Sequence, residues 1–168
     1  FTDTNNVNTA TPYVATPMVK VDFLVHRIGL TNSASDAANK INDQGQIAGT
    51  VDGPDGVSRG YLFDSATGQE IERAGYGASA FTEWYGINSA GVLAGVYADP
   101  ADPTFSTYRA FVRDGSGVFK DIGWSEDPGF NFSVEINDLG QVAGGSSTKA
   151  WVWNPDGTHH VIATPGFE

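Results

Sequence analysis

Three histidines, His26, His159 and His160, are the side chains of this chain that titrate closest to neutrality. His159 and His160 are adjacent in a strand-like stretch, so they face opposite ways and cannot chelate one metal together. No Ser or Asp near His26 completes a nucleophile pattern. The turns Asp52-Gly53-Pro54-Asp55-Gly56 and Asp99-Pro100-Ala101-Asp102-Pro103 pair carboxylates in a way that could hold Ca²⁺. Neither matches an EF-hand loop or a nonapeptide calcium repeat, and solvated turn aspartates are the plainer reading. Glycoside hydrolysis needs two carboxyls across a cleft, and no spacing here selects a pair. The chain contains no Cys, so a thiolate zinc site and a disulfide framework are both excluded. The expectation is a protein with no catalytic residues, no metal site and no cofactor, Ca²⁺ at the Asp turns being the one opening left.

Aromatic side chains are the better binding candidates. Phe81, Trp84 and Tyr85 cluster beside Glu83, and strand alternation puts Glu83 and Tyr85 on one face with Trp84 on the other. A Trp beside a carboxylate can stack on a sugar ring, and it can equally fill a gap in the core. Tyr97 and Phe105 lie nearby in the longest inter-strand link. Trp84, Tyr85, Tyr97 and Phe105 are therefore the candidate glycan-binding set. Trp151 and Trp153 share a face at two-residue spacing, and packing is the expected role of both.

The elements that must position these residues come from a phrase that occurs three times. It reads Ile41-Asn42-Asp43-Gln44-Gly45-Gln46-Ile47-Ala48-Gly49, then Ile87-Asn88-Ser89-Ala90-Gly91-Val92-Leu93-Ala94-Gly95, then Ile136-Asn137-Asp138-Leu139-Gly140-Gln141-Val142-Ala143-Gly144. The copies start 46 and 49 residues apart, a period that belongs to arrays in which each unit is one small β-sheet. Asn bonds its own backbone and a Gly three residues on supplies positive φ, so each phrase predicts a hairpin turn. Asn42, Gly45, Gly49, Asn88, Gly91, Gly95, Asn137, Gly140 and Gly144 are the structural residues of that turn. The closing Ala-Gly pair keeps side chains small where another backbone must approach.

A second phrase follows each copy: Arg59-Gly60-Tyr61-Leu62, Arg109-Ala110-Phe111-Val112 and Lys149-Ala150-Trp151-Val152. Turns at Asp64, Asp114 and Asn154 and a last short strand complete about four strands per repeat, the content of one propeller blade. The repeats run about 31–76, 77–124 and 125–163, inside a single all-β domain spanning 21–168. Three blades fall short of a closed propeller, which needs about four. The alternatives are a three-fold prism or trefoil arrangement, or subunits that combine.

Arg27-Ile28-Gly29-Leu30 resembles Asp121-Ile122-Gly123-Trp124, so Val21 to Leu30 reads as a surplus blade-ending strand. Residues 1–20 form an extended tail rich in Thr and Asn, with Tyr13 and Val14 as its apolar anchors. It is expected to be pinned along a sheet edge, its own or a neighbour's. A tail without Lys or Arg before Lys20 also lacks the charges that discourage edge pairing. Tyr13, Val14, Val21, Phe23 and Val25 are thus the candidate assembly strand, donating itself to a second copy.

Nine basic and twenty acidic residues give a net charge of −11, which makes nucleic acid and anionic lipid poor partners. No apolar run is long enough to span a membrane as a helix. A start at Phe1 without Met, few Lys and abundant Thr, Asn and Gly suggest a processed, secreted bacterial product. Asn131-Phe132-Ser133 fits the N-glycosylation pattern but carries little meaning in such a host.

The phrases resemble the HAF repeat, an extracellular repeat of secreted bacterial proteins. Ala38-Asn39-Lys40-Ile41-Asn42 matches its first part, Arg109-Ala110-Phe111-Val112 its second and Asp121-Ile122-Gly123 its third, over about residues 23–163. Trp84 departs from it, standing where the pattern wants Ala. The resemblance implies secretion and propeller-like sheets, and implies no activity. The expected function is a secreted, non-enzymatic structural or adhesive subunit that self-assembles, into a fibre through its N-terminal strand. A carbohydrate-binding module is the alternative and a secreted hydrolase a distant third.

Overall fold

The structure is a computed structural model that describes residues 35–79, 81–102, 104, 107–123, 133–145 and 150–162. The tail, the 21–30 strand, Tyr13, Val14, Val21, Phe23, Val25, His26 and Phe105 lie outside the described residues. Among those described there are twelve strands and no helix. They are β1 (Asp36–Ile41), β2 (Gln46–Asp52), β3 (Ser58–Asp64), β4 (Gln69–Ala74), β5 (Thr82–Ile87), β6 (Leu93–Ala98), β7 (Tyr108–Arg113), β8 (Phe119–Asp121), β9 (Ser133–Ile136), β10 (Val142–Gly145), β11 (Ala150–Trp153) and β12 (His159–Ile162).

They form three four-stranded antiparallel meanders, β1-β2-β3-β4, β5-β6-β7-β8 and β9-β10-β11-β12. Each sheet contains one copy of the phrase. The fold is all-β and propeller- or trefoil-like, with no sheet closing into a barrel. In the first two sheets the middle strands are buried on both faces, in the third they are buried on one face only, and in every sheet the last strand alternates or faces water. β2 carries the continuous run Ile47-Ala48-Gly49-Thr50-Val51, whereas β4 alternates exposed and half-buried residues. A continuous buried run of this kind belongs to a strand packed on both sides.

The joints between sheets are made mainly by the first strand of the following sheet. β5 packs across β1, β2 and β3, and β9 packs across β5 and β6. Two apolar clusters fill these joints. Ala48 and Leu62 of the first sheet meet Trp84, Ile87, Leu93, Tyr97 and Phe111 of the second. Ala94, Val96, Ala110, Val112 and Ile122 of the second meet Val134, Ile136, Val142, Trp151 and Trp153 of the third. A smaller cluster of Ile47, Val51, Tyr61 and Phe63 belongs to the first sheet alone.

Candidate functional site

Each phrase folds into the same turn. Gly45, Gly91 and Gly140 sit at φ of 75°, 75° and 77°, the left-handed region that favours glycine. The Asn side chain closes the loop from inside. Asn42 Oδ1 accepts from the amides of Gln44 (3.1 Å) and Gln46 (2.9 Å), Asn88 Oδ1 from Ala90 (3.0 Å) and Val92 (2.9 Å), and Asn137 Oδ1 from Leu139 (3.0 Å) and Gln141 (2.9 Å). Two of these Asn residues also reach sideways. Asn42 Nδ2 donates to the carbonyl of Asn88 (3.0 Å), and Asn88 Nδ2 donates to that of Asn137 (3.1 Å). Turn chemistry and sheet-to-sheet alignment are therefore fixed by one residue type. The three turns line a common hollow of about 290 Å³.

The closing Gly of each phrase faces an aromatic ring on the neighbouring strand. The pairs are Gly49 with Tyr61, Gly95 with Phe111 and Gly144 with Trp151. A methyl group at Gly49 or Gly95 would collide with the facing ring and also with the carbonyl of Ala37 or Glu83; at Gly144 it would collide with the Trp151 ring. The small residue thus makes room for an aromatic ring in all three sheets, and for a close backbone in two.

Trp84 and Tyr97 correct the expected glycan set. Trp84 is 0 % exposed, its ring lying over Gly60 of the preceding sheet. Tyr97 is also buried and stacks on Tyr76, with ring centroids 3.8 Å apart. Neither ring offers a face to a sugar, because both fill the joint between sheets one and two. Tyr85 is half-buried, and its hydroxyl donates to the Glu83 carboxylate. Burial, followed by that bond to Glu83, pushes the Tyr85 hydroxyl well above its ordinary pKa. Trp151 and Trp153 are buried, like Tyr61 and Phe111 at the positions matching Trp151.

The carboxylates of the Asp turns are engaged locally. Asp52 accepts from the Ser58 hydroxyl, and Asp55 takes both terminal nitrogens of Arg59 (3.0 and 2.6 Å). Asp99 caps the amide of Ala101 (2.9 Å), and Asp102 those of Thr104 (2.9 Å) and Thr107 (2.8 Å). Among the described residues no three His, Asp or Glu side chains converge on a cation position. His159 and His160 are exposed on the outermost strand, β12.

Several joint residues were not anticipated. Asn39, the extra residue of a β-bulge in β1, donates to the carbonyl of Trp84 (2.8 Å). Arg113, itself buried, forks onto Glu72 of the first sheet and lies 5.9 Å from the Trp84 ring centre. At the matching position of the next joint Lys120 lies 5.0 Å over the Trp153 ring. The signal that could have found the first joint is a size exchange between copies. Trp84 replaces Ala38 and Ser133, while Gly60 replaces Ala110 and Ala150. The large residue in one sheet is accommodated by the small one in the sheet before it.

Comparison of the chain with family models, curated proteins and solved structures gives no match in any of the three. Among the described residues no helix is long and apolar enough to cross a membrane.

Proposed function

We propose that this protein is a secreted, non-enzymatic structural or adhesive subunit that associates with copies of itself. The observation that supports this reading is the open third sheet. Its last strand, β12, is exposed along its length, with Val161 at 53 % and Ile162 at 51 %. An exposed apolar edge strand is the feature that natural sheets ordinarily cover or charge, and here it is left for a partner. Secretion rests on composition and on the resemblance of the three phrases to the HAF repeat. In this reading the 1–18 tail and the 21–30 strand add to a neighbour's sheet edge and extend the assembly into a fibre. The glycan-binding alternative is weakened by the burial of Trp84 and Tyr97.

Light scattering on the full chain over a range of concentrations tests the reading. A particle mass well above the 17.8 kDa chain is expected. A single-chain mass at every concentration would contradict it. Deleting residues 1–18 should lower the mass if the tail is the donor strand, and an unchanged assembly would dismiss the tail.

A further inference from the structure

The chain contains two copies of one sheet-to-sheet joint and the two unmatched halves of a third. In the joints, the back of one sheet receives the first strand of the next. On the first two sheets that back carries Ala48 and Leu62, then Ala94, Val112 and Ile122, and all five are buried. The matching residues of the third sheet are Ala143, Val152 and Ile162. Ala143 is exposed, Val152 half-buried, and Ile162 is 51 % exposed where Ile122 is 3 %. Glu135, Ile136, Asn137, Gln141, Ala143 and Val152 shape this surface into a groove of about 520 Å³.

The complementary half lies at the other end of the chain. The strands that dock, β5 and β9, bury Ile87 (3 % exposed) and Ile136 (8 %). Their counterpart β1 is exposed along its whole length, and its Ile41 is 57 % exposed. The Asn ladder is interrupted at the same place. Asn137 Nδ2 donates to Gln141 within its own turn (2.9 Å), and among the described residues it reaches no neighbouring carbonyl as Asn42 and Asn88 do.

We infer that copies of this chain join head to tail, β1 of one copy seating in the groove behind the third sheet of another. Asn137 then donates to the Asn42 carbonyl of the incoming copy, and Ile41 covers Ala143 and Val152. This rests on the self-association proposed above and names its interface. One side chain stands in the way: Lys40 reaches the rim of the groove and pairs with Glu135 at 3.0 Å. Both partners are largely exposed, so displacing the pair costs little. The Ile47-Val51-Tyr61-Phe63 cluster behind β1 is already buried, which makes this joint smaller than the internal ones and its formation reversible. The joint is heterologous: repeated twice it closes six sheets into a ring, and if it does not close it grows as a filament.

The test compares the full chain with Val152→Glu and with Ile41→Lys, by sedimentation and by thermal melting. Both positions are at least partly open to water, so both variants should melt as the parent does. Each should raise the concentration needed for association by about tenfold or more, because a charge must be buried in the joint. A second readout does not depend on stability. The chain has no Cys, so Ala143→Cys chains mixed with Ile41→Cys chains should form a disulfide-linked pair on oxidation that neither forms alone. If the parent associates but both variants associate equally well and the mixture does not cross-link, the joint is wrong and self-association stands. If the parent is a single chain at every concentration, both are wrong.

Discussion

At the scale of single residues, two kinds of glycine do different work in each phrase. Gly91 is needed for its backbone: φ is 75° and the nearest atom to an added Cβ is Gln46 Oε1 at 3.4 Å. Gly95 is needed for its emptiness, since a Cβ there would strike the Glu83 carbonyl and sit 2.8 Å from Phe111 Cζ. Asn tolerates the left-handed region, so Gly91→Asn should cost about 1 kcal/mol or less. Gly95→Asn should cost several-fold more, about 3 kcal/mol, as expected for overpacking against a fixed backbone. Equal melting temperatures for the two variants would contradict the distinction. Trp84 and Gly60 provide a paired test. Trp84→Ala empties the first joint and should cost about 3–5 kcal/mol. Trp84→Phe should cost much less, because it keeps most of the ring and removes an indole N–H that is buried without a partner among the described residues. Gly60→Ala should be severe alone and mild when combined with Trp84→Ala, a coupling that urea titrations of the four proteins would reveal. Additive effects would mean that the two residues do not share one space.

At the scale of elements, the turns were legible in the sequence and the joints were not. A turn is local: Asn and Gly three residues apart determine where the amides of residues 42–46 go, and the same letters recur at 88 and 137. The strands between the turns follow from the same repetition, so four strands per unit could be counted. Whether Trp84 and Tyr97 face water depends instead on which sheet lies against theirs, and that is set by small residues such as Gly60 far away in the chain. The sugar-stacking expectation failed there because a Trp beside a Glu looks alike in a cleft and in a joint. The turns also supply a pH dependence between elements. Asp138 accepts from the amide of Ser89 in the preceding turn at 2.8 Å, and that bond, with one from the Ser89 hydroxyl, lowers its pKa from the ordinary 3.8. The folded value is the lower one, so this contribution is fully present above about pH 4 and is lost as pH falls through the folded pKa. Asp138→Asn keeps an oxygen acceptor and removes the proton linkage. Its melting temperature should therefore fall less than the parent's on acidification below pH 4. Parallel curves for the two proteins would remove Asp138 from the acid response.

At the scale of the whole molecule, the second sheet is matched by a neighbour on both sides, whereas the first and the third each keep one face that has no counterpart among the described residues. The second sheet is covered on both faces, by Ala48 and Leu62 on one side and by Val134 and Ile136 on the other. The first sheet exposes the strand that its successors bury, and the third exposes the back that its predecessors cover. Arg113 shows how strongly an occupied joint is held, since it is buried on Glu72 across the boundary between sheets one and two. Arg113→Ala would leave Glu72 without its cation and empty space beside Trp84, so a loss of about 3 kcal/mol is expected by chemical denaturation. A loss below about 0.5 kcal/mol would place that pair among the weak surface ion pairs instead.

Amide hydrogen exchange as a function of protein concentration tests the central claim most directly, because it reads the first, second and third sheets in one sample. With association, the amides of β1 and of β10 to β12 should slow as concentration rises, while those of β6 and β7, already buried, stay unchanged. Exchange at β1 and β12 that is identical at every concentration would contradict the account.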